Sequence, residues 1–140
     1  MSRIFWDTNL FIYLFENYGP LSKTTVELRR KMLKRGDQLL TSTLTLGEVL
    51  VKPVENGDSV LYSRYESGIA ASALILPFDV AAAKIYASLR SDRTLRAPDA
   101  IQLACAAGAA VDLFVTNDNR LQKKHVNGIQ FIAPLDRVPI

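Results

Sequence analysis

A charged residue near the start of the chain lies in surroundings that do not suit a charge. Asp7 stands between two apolar runs, residues 4–6 and residues 10–15. A carboxylate placed among so many apolar side chains is costly unless another group pairs with it. The pattern therefore predicts that Asp7 has a specific partner, such as a cation, and makes it the first candidate for chemistry.

Three further acidic residues are candidates for the same chemistry. Glu48 has apolar neighbours at Leu46 and Val49, which leave little polar surface around it. Asp99 follows a proline at a predicted helix start, where an acid also complements the helix dipole. Asp118 follows an apolar run and has an equally good interpretation as a loop or cap residue. Each acid alone has an ordinary structural explanation, so the chemistry depends on whether they come together.

Short apolar runs alternate with helical patterns along the chain, which indicates an α/β fold. Strands are predicted at residues 4–6, 38–42, 73–76, 113–116 and 129–132. Helices are predicted at residues 8–18, 22–35, 44–54, 58–71, 79–89 and 98–110, with a short helical turn from residue 119. We expect one three-layer α/β/α domain over residues 1–140, with a central, mostly parallel sheet of about five strands.

Local signals add detail to these elements. The helix at residues 22–35 is predicted to point three apolar side chains inward, namely Val26, Leu28 and Met32. Thr43 is a plausible cap for the next helix, and Asp79 is interpreted as an N-cap with no chemical role. Asp112 precedes the fourth strand and is therefore expected at the opposite end of the sheet from Asp7.

The predicted topology brings the four acids to one edge of the sheet. Ligands of open α/β sheets bind at the carboxyl ends of the strands. Asp7 and Asp118 follow strands, and Glu48 and Asp99 lie in the first turns of helices that follow this edge. Carboxylates gathered there repel one another unless a cation binds or some remain protonated. Oxygen donors without a Cys/His set favour Mg²⁺ or Mn²⁺ over zinc, and such an ion assists phosphodiester hydrolysis.

With these motifs the chain resembles PIN-domain ribonucleases, specifically VapC-type toxins of type II toxin–antitoxin systems. Four stretches carry the resemblance in order, at residues 5–10, 42–50, 98–104 and 116–118. The resemblance implies a PIN-like fold and a catalytic metal site formed by Asp7, Glu48, Asp99 and Asp118, supported by Thr8, Asn9 and Thr116. It also implies an RNA substrate, a cognate antitoxin and a homodimer. Trp6 is bulkier than the aliphatic residue more usual before the first acid.

Basic residues near the predicted site are candidates for binding RNA. The net charge of +3 and a pI of about 9.1 are compatible with a polyanionic partner without being diagnostic. Arg93 and Arg96 lie in a loop that leads directly to Asp99, so they are placed to contact phosphates. The alternative is that these arginines are solvated surface. Cys105 is expected to be buried and inert, and His125 to be a surface residue.

Other functions remain to be compared with the nuclease. A haloacid-dehalogenase-like phosphatase needs a second Asp two positions after Asp7, where Asn9 stands instead. A receiver-like signalling domain needs a Lys after a late strand, where Pro134 stands. A PIN-like RNA-binding or RNA-processing domain without a toxin role stays open. The single cysteine and the early interruption of the apolar N-terminus by Asp7 predict a cytoplasmic protein without a signal peptide.

Overall fold

Five short strands form the sheet that supports the rest of the molecule. In the computed structural model, which describes residues 1–140, they are β1 (Arg3–Trp6), β2 (Gln38–Ser42), β3 (Leu74–Leu76), β4 (Leu113–Thr116) and β5 (Phe131–Pro134). Every neighbouring pair is parallel, in the order β3-β2-β1-β4-β5. Along the chain, β2 and β3 are added on one side of β1, and β4 and β5 are then added on its other side. The strand order therefore reverses between β1 and β4, where open α/β sheets form a crevice.

Six helices cover the two faces of this sheet. They are α1 (Thr8–Phe15), α2 (Pro20–Arg35), α3 (Thr43–Glu55), α4 (Ser59–Ser72), α5 (Val80–Leu89) and α6 (Ala97–Gly108). A short 3₁₀ helix, Leu135–Arg137, ends the ordered elements. None of the helices combines the length and the hydropathy that a bilayer crossing requires.

The side chains of β1 alternate between two hydrophobic cores, as the pleat of a strand requires. Ile4 and Trp6 pack with side chains from α1, α2, α3 and α4. Phe5 points to the other face and packs with side chains from α5 and α6, stacking on Phe114 with ring centroids 5.0 Å apart. Ile4, Phe5 and Trp6 are all fully buried. The predicted three-layer α/β/α architecture with a parallel five-stranded sheet is thus confirmed.

The inward face of α2 differs from the prediction. Leu28 and Met32 are buried as expected, but Val26 is 39% exposed. Thr25 takes the inward position instead, because residues 25, 28 and 32 share one helix face and residue 26 is rotated away from it. The Thr25 hydroxyl donates to the Leu21 carbonyl oxygen at 2.8 Å, which satisfies its buried polar group.

Four other local predictions are wrong. The first helix ends at Phe15, three residues earlier than predicted. The cap of α3 is Ser42, whose Oγ accepts from the Thr45 backbone N–H at 3.3 Å, and Thr43 is already helical. Residues 119–123 form turns rather than a helix. The last strand begins two residues later than predicted, because Ile129 is held in a turn by its N–H bond to the Val126 carbonyl. Its side chain is buried there in the α5–α6 core instead of joining the ladder.

The control residues behave as the sequence predicts. Asp79 caps α5, with its Oδ1 accepting from the Ala82 N–H at 2.9 Å. Asp112 lies at the amino end of the sheet, where its Oδ2 accepts from the Arg3 N–H at 2.8 Å. Cys105 is buried, and burial raises the pKa of its thiol to about 11.

The Asp79 cap gives a stability test. Replacing Asp79 by Ala removes the side-chain acceptor at the start of α5, so the free energy of unfolding should fall by about 1 kcal/mol. Asp79→Asn keeps an acceptor oxygen and should lose much less. Urea denaturation of the two variants beside the wild type measures the difference, and equal stability of all three proteins contradicts the cap.

Candidate active site

The crevice between β1 and β4 opens into a polar cavity of about 180 Å³. The residues that line it are Asp7, Thr8, Asn9, Glu48, Arg96, Pro98, Asp99, Gln102 and Asp118. All four acids selected from the sequence therefore line one cavity, although the first and the last are 111 positions apart in the chain. Arg96 reaches the cavity as well, whereas Arg93 is exposed and is not part of the lining.

Asp7 lies at the inner end of the cavity and has both carboxylate oxygens engaged. Its Oδ1 accepts from the Thr8 N–H at 2.9 Å, and its Oδ2 accepts from Thr116 Oγ1 at 2.8 Å. Burial, together with smaller contributions from the charges of Asp99 and Glu48, raises the pKa of Asp7 to about 6, although the two hydrogen bonds lower it. Thr116 Oγ1 also accepts from the Asp118 N–H at 3.0 Å, so one hydroxyl positions two of the acids.

Glu48 is positioned by a chain of hydrogen bonds that begins in the interior. Thr8 Oγ1 donates to Glu48 Oε1 at 2.6 Å. Behind Thr8, the Gln102 Nε2 donates to Thr8 Oγ1 at 3.1 Å and to Thr45 Oγ1 at 2.7 Å, and Ser42 Oγ donates to Gln102 Oε1. Gln102 is only 2% exposed. Its amide thus ties α6 to α1, to α3 and to the end of β2, and it indirectly orients Glu48 through Thr8.

Gln102 was not selected from the sequence. The available signal was an amide on a helix face where Leu103, Ala104 and Ala106 are fully buried. A buried amide needs several hydrogen-bond partners, so such a residue marks a polar network. The identity of the partners depends on the packing of α6 against β2, which the local sequence does not specify.

The outer pair of acids is held by arginines. Arg120 contacts Asp118 through two hydrogen bonds, Nε to Oδ1 at 3.0 Å and Nη2 to Oδ2 at 2.5 Å. The same Nη2 and the Arg96 Nε each lie 3.8 Å from Asp99 Oδ2. The hydrogen bond from Arg120 lowers the pKa of Asp118, whereas burial, together with the charge of Asp118, raises the pKa of Asp99.

The donor set fits a hard divalent cation. No group of three or more His, Cys, Asp or Glu side chains is gathered closely enough to enclose a metal ion. Mg²⁺, however, keeps several waters and needs only one or two carboxylates from the protein. The cavity supplies carboxylate oxygens and no thiol or imidazole, which is the chemistry that Mg²⁺ and Mn²⁺ prefer.

Comparison with known proteins agrees with this fold. A model of the PIN domain matches residues 4–126. The chain belongs to the PIN domain family. Comparison with curated protein sequences gives no significant match.

Solved structures with a similar fold include toxin–antitoxin proteins. One is a chain of VapBC2 from Rickettsia felis, in a complex bound to a fragment of promoter DNA. It has a TM-score of 0.76 and 12% sequence identity, and the match covers 94% of this chain and 98% of that chain. A chain of a toxin–antitoxin complex from Klebsiella pneumoniae has a TM-score of 0.65 and 22% sequence identity, and the match covers 90% of this chain and 94% of that chain. A chain of DNA-bound VapBC from Salmonella typhimurium has a TM-score of 0.68 and 20% sequence identity, and the match covers 96% of this chain and 99% of that chain. At these identities the likeness establishes the shared fold.

The Gln102 network predicts a cost for removing one amide from this PIN domain. Gln102→Met keeps the side-chain length but leaves buried hydroxyls without a partner, so the free energy of unfolding should fall by about 1–3 kcal/mol. Gln130→Met is the matched control, because Gln130 is exposed, and it should change stability by less than about 0.5 kcal/mol. Chemical denaturation measures both variants. Equal effects at the two positions contradict the network.

The raised pKa of Asp7 predicts a pH dependence of stability in metal-free protein. The folded state favours protonated Asp7, so this residue contributes most stability below its ordinary pKa of 3.8 and loses that contribution as the pH rises through about 6. The shift from 3.8 to about 6 corresponds to roughly 3 kcal/mol. Asp7→Asn should therefore gain stability over the wild type across this interval. Unfolding curves in EDTA at several pH values measure the gain, and a constant difference from pH 4 to pH 7 contradicts it.

Proposed function

We propose that this PIN domain is a Mg²⁺- or Mn²⁺-dependent endoribonuclease that hydrolyses RNA phosphodiester bonds and acts as the toxin of a toxin–antitoxin pair. One observation carries the chemistry, namely the convergence of Asp7, Glu48, Asp99 and Asp118 on a single polar cavity. The fold shared with chains of toxin–antitoxin complexes supports the toxin role. A homodimeric state and a cytoplasmic location belong to the same proposal and rest on the resemblance and the sequence.

Each acid has a defined part in this proposal. The four acids are the proposed metal ligands, one or two of them directly and the others through waters that the ion would keep. The bound metal would supply activation of water and stabilisation of charge on the phosphate. Thr116 keeps Asp7 and Asp118 in a fixed relation, since its hydroxyl contacts both. Thr8 holds Glu48, which is exposed and lines the cavity. Asn9 is exposed beside them and is proposed to support the bound substrate or metal.

The arginines near Asp99 are the proposed contacts to the RNA backbone. The Arg96 side chain is 67% exposed while its Nε lies 3.8 Å from Asp99, so it reaches both the cavity and solvent. Arg93 is exposed in the preceding turn and is a more peripheral candidate. Guanidinium groups bind phosphates in bidentate geometry, and such contacts position an RNA without reading its sequence.

The proposed antitoxin has a surface beside the acids. A groove of about 390 Å³ lies between α1, α3 and α4, with mainly apolar lining that includes Ile12, Val49 and Leu61. Glu48 lines both this groove and the acidic cavity. A peptide segment that buries apolar side chains in the groove can therefore present an arginine to the carboxylates. We propose that a segment of the antitoxin binds in this way.

The nuclease proposal predicts metal-dependent cleavage that fails when the acids are neutralised. A labelled single-stranded RNA should be cut with Mg²⁺ or Mn²⁺, and EDTA should stop the reaction. Asp99→Asn and Asp118→Asn should lower the cleavage rate by orders of magnitude, because the metal is no longer held correctly. Asp79→Asn is the matched control and should cleave like the wild type. Cleavage that survives in both site variants, or in EDTA, would falsify the assignment.

Two further measurements separate the parts of the proposal. Arg96→Ala should weaken RNA binding more than Arg93→Ala, and the difference in affinity from the wild type should shrink at high salt.

The toxin role is tested in cells. Induced expression should arrest growth of the host, and co-expression of the small protein encoded next to the gene should restore growth. A protein that cleaves RNA yet is harmless and purifies alone supports an RNA-processing role in place of the toxin role.

A further inference from the structure

Arg120 already occupies the position of a cation between two of the proposed metal ligands. It follows β4 by four residues and lies in the turn at residues 119–123. Its guanidinium makes both side-chain hydrogen bonds to Asp118 and lies 3.8 Å from Asp99. The two carboxylates come from different elements, since Asp99 is in the first turn of α6. Arg120 thus offsets a repulsion that the fold creates when it brings these acids together.

The contact has the properties of an exchangeable pair rather than of a fixed structural one. The Arg120 side chain is 52% exposed, so it loses little buried contact when it moves. An exposed ion pair contributes at most about 1 kcal/mol to stability. Both oxygens of Asp118 are engaged by the guanidinium, so direct metal ligation by Asp118 competes with Arg120 for the same lone pairs.

Resting on the proposed function, we propose that Arg120 is an internal counter-ion that a divalent metal displaces, and that the displaced guanidinium binds a phosphate of the RNA. A guanidinium fork fits a phosphate as well as it fits a carboxylate. The exchange keeps charges matched at each stage, because the metal neutralises Asp118 and Asp99 while Arg120 meets the negative charge that the substrate brings. Arg96 remains beside Asp99 and contacts no oxygen of Asp118.

A metal titration without RNA tests the first half of this inference. Calorimetry with Mn²⁺ should show that Arg120→Gln binds the ion about two- to fivefold more tightly than the wild type, because a competing ion pair worth at most about 1 kcal/mol is removed. Arg96→Gln removes the same charge at the same 3.8 Å from Asp99 but no contact to Asp118, so its gain should be smaller. Arg30→Gln, which breaks a remote exposed pair with Glu27, should leave the affinity unchanged. Equal gains for Arg120→Gln and Arg96→Gln, or no gain for Arg120→Gln, overturn the exchange.

RNA binding at saturating Mn²⁺ tests the second half. The probe is a short phosphorothioate RNA that resists cleavage, followed by fluorescence anisotropy. Arg120→Gln should bind it about five- to tenfold more weakly than the wild type, because one charge-assisted phosphate contact is lost. Arg30→Gln should bind it normally. An Arg120→Gln affinity equal to that of the wild type overturns the phosphate contact.

The two readouts also separate this inference from the nuclease proposal. A wild-type protein that cleaves RNA, combined with an unchanged metal affinity in Arg120→Gln, overturns the inference and leaves the nuclease intact. Tighter metal binding in Arg120→Gln, combined with a wild-type protein that cleaves no RNA, supports the counter-ion and overturns the nuclease.

Discussion

The free-energy cost of gathering carboxylates in a partly buried crevice is the constraint on which the other features of this PIN domain depend. Burial is the largest cause of the raised pKa values of Asp7 and Asp99, and neighbouring carboxylates also raise them, whereas the hydrogen bond from Arg120 lowers the pKa of Asp118. The protein meets this constraint with hydrogen bonds from Thr8 and Thr116 at the inner end. At the outer end it uses guanidinium groups. The difference follows solvent access, because a long, flexible cation can leave the outer position and an inner hydroxyl cannot.

The fold lowers the cost of gathering these charges. Three helices begin at the crevice, since α1 starts directly after Asp7, α3 directly after Ser42, and α6 carries Asp99 in its first turn. The positive ends of helix dipoles stabilise nearby negative charge. The parallel sheet makes this arrangement possible, because β1 and β2 end at the same edge and lead directly into α1 and α3, while α6 begins near that edge and leads back to the start of β4. The site is therefore a product of topology as much as of the acids themselves.

Rigid and exchangeable parts of the site have separate physical origins. The network around Gln102 is buried and joins β2, α3 and α6, so its geometry changes only if the core changes. Arg96 and Arg120 are exposed and are held only by ion pairs with Asp99 and Asp118. Under the nuclease proposal, the buried network would keep part of the metal site fixed, while the exposed arginines would meet the RNA. The adjacent apolar groove shares Glu48 with the cavity, so a partner bound there is placed to control access to the acids.

The sequence by itself determined the order of the elements, the parallel sheet and the identity of the four acids. It did so because short apolar runs alternate with helical patterns along the chain. In addition, Asp7 stands among apolar residues that cannot compensate its charge. Its limits were local as well. In α2 the polar Thr25, rather than the apolar Val26, takes the buried position, and at α3 the adjacent Ser42 and Thr43 are both good cap residues, of which Ser42 is the cap. Only the tertiary structure paired Ser42 with Gln102, 60 residues away, and brought Arg120 to Asp99. Hydrogen bonds and ion pairs between distant residues depend on how helices pack on the sheet, and no periodicity along the chain encodes that packing.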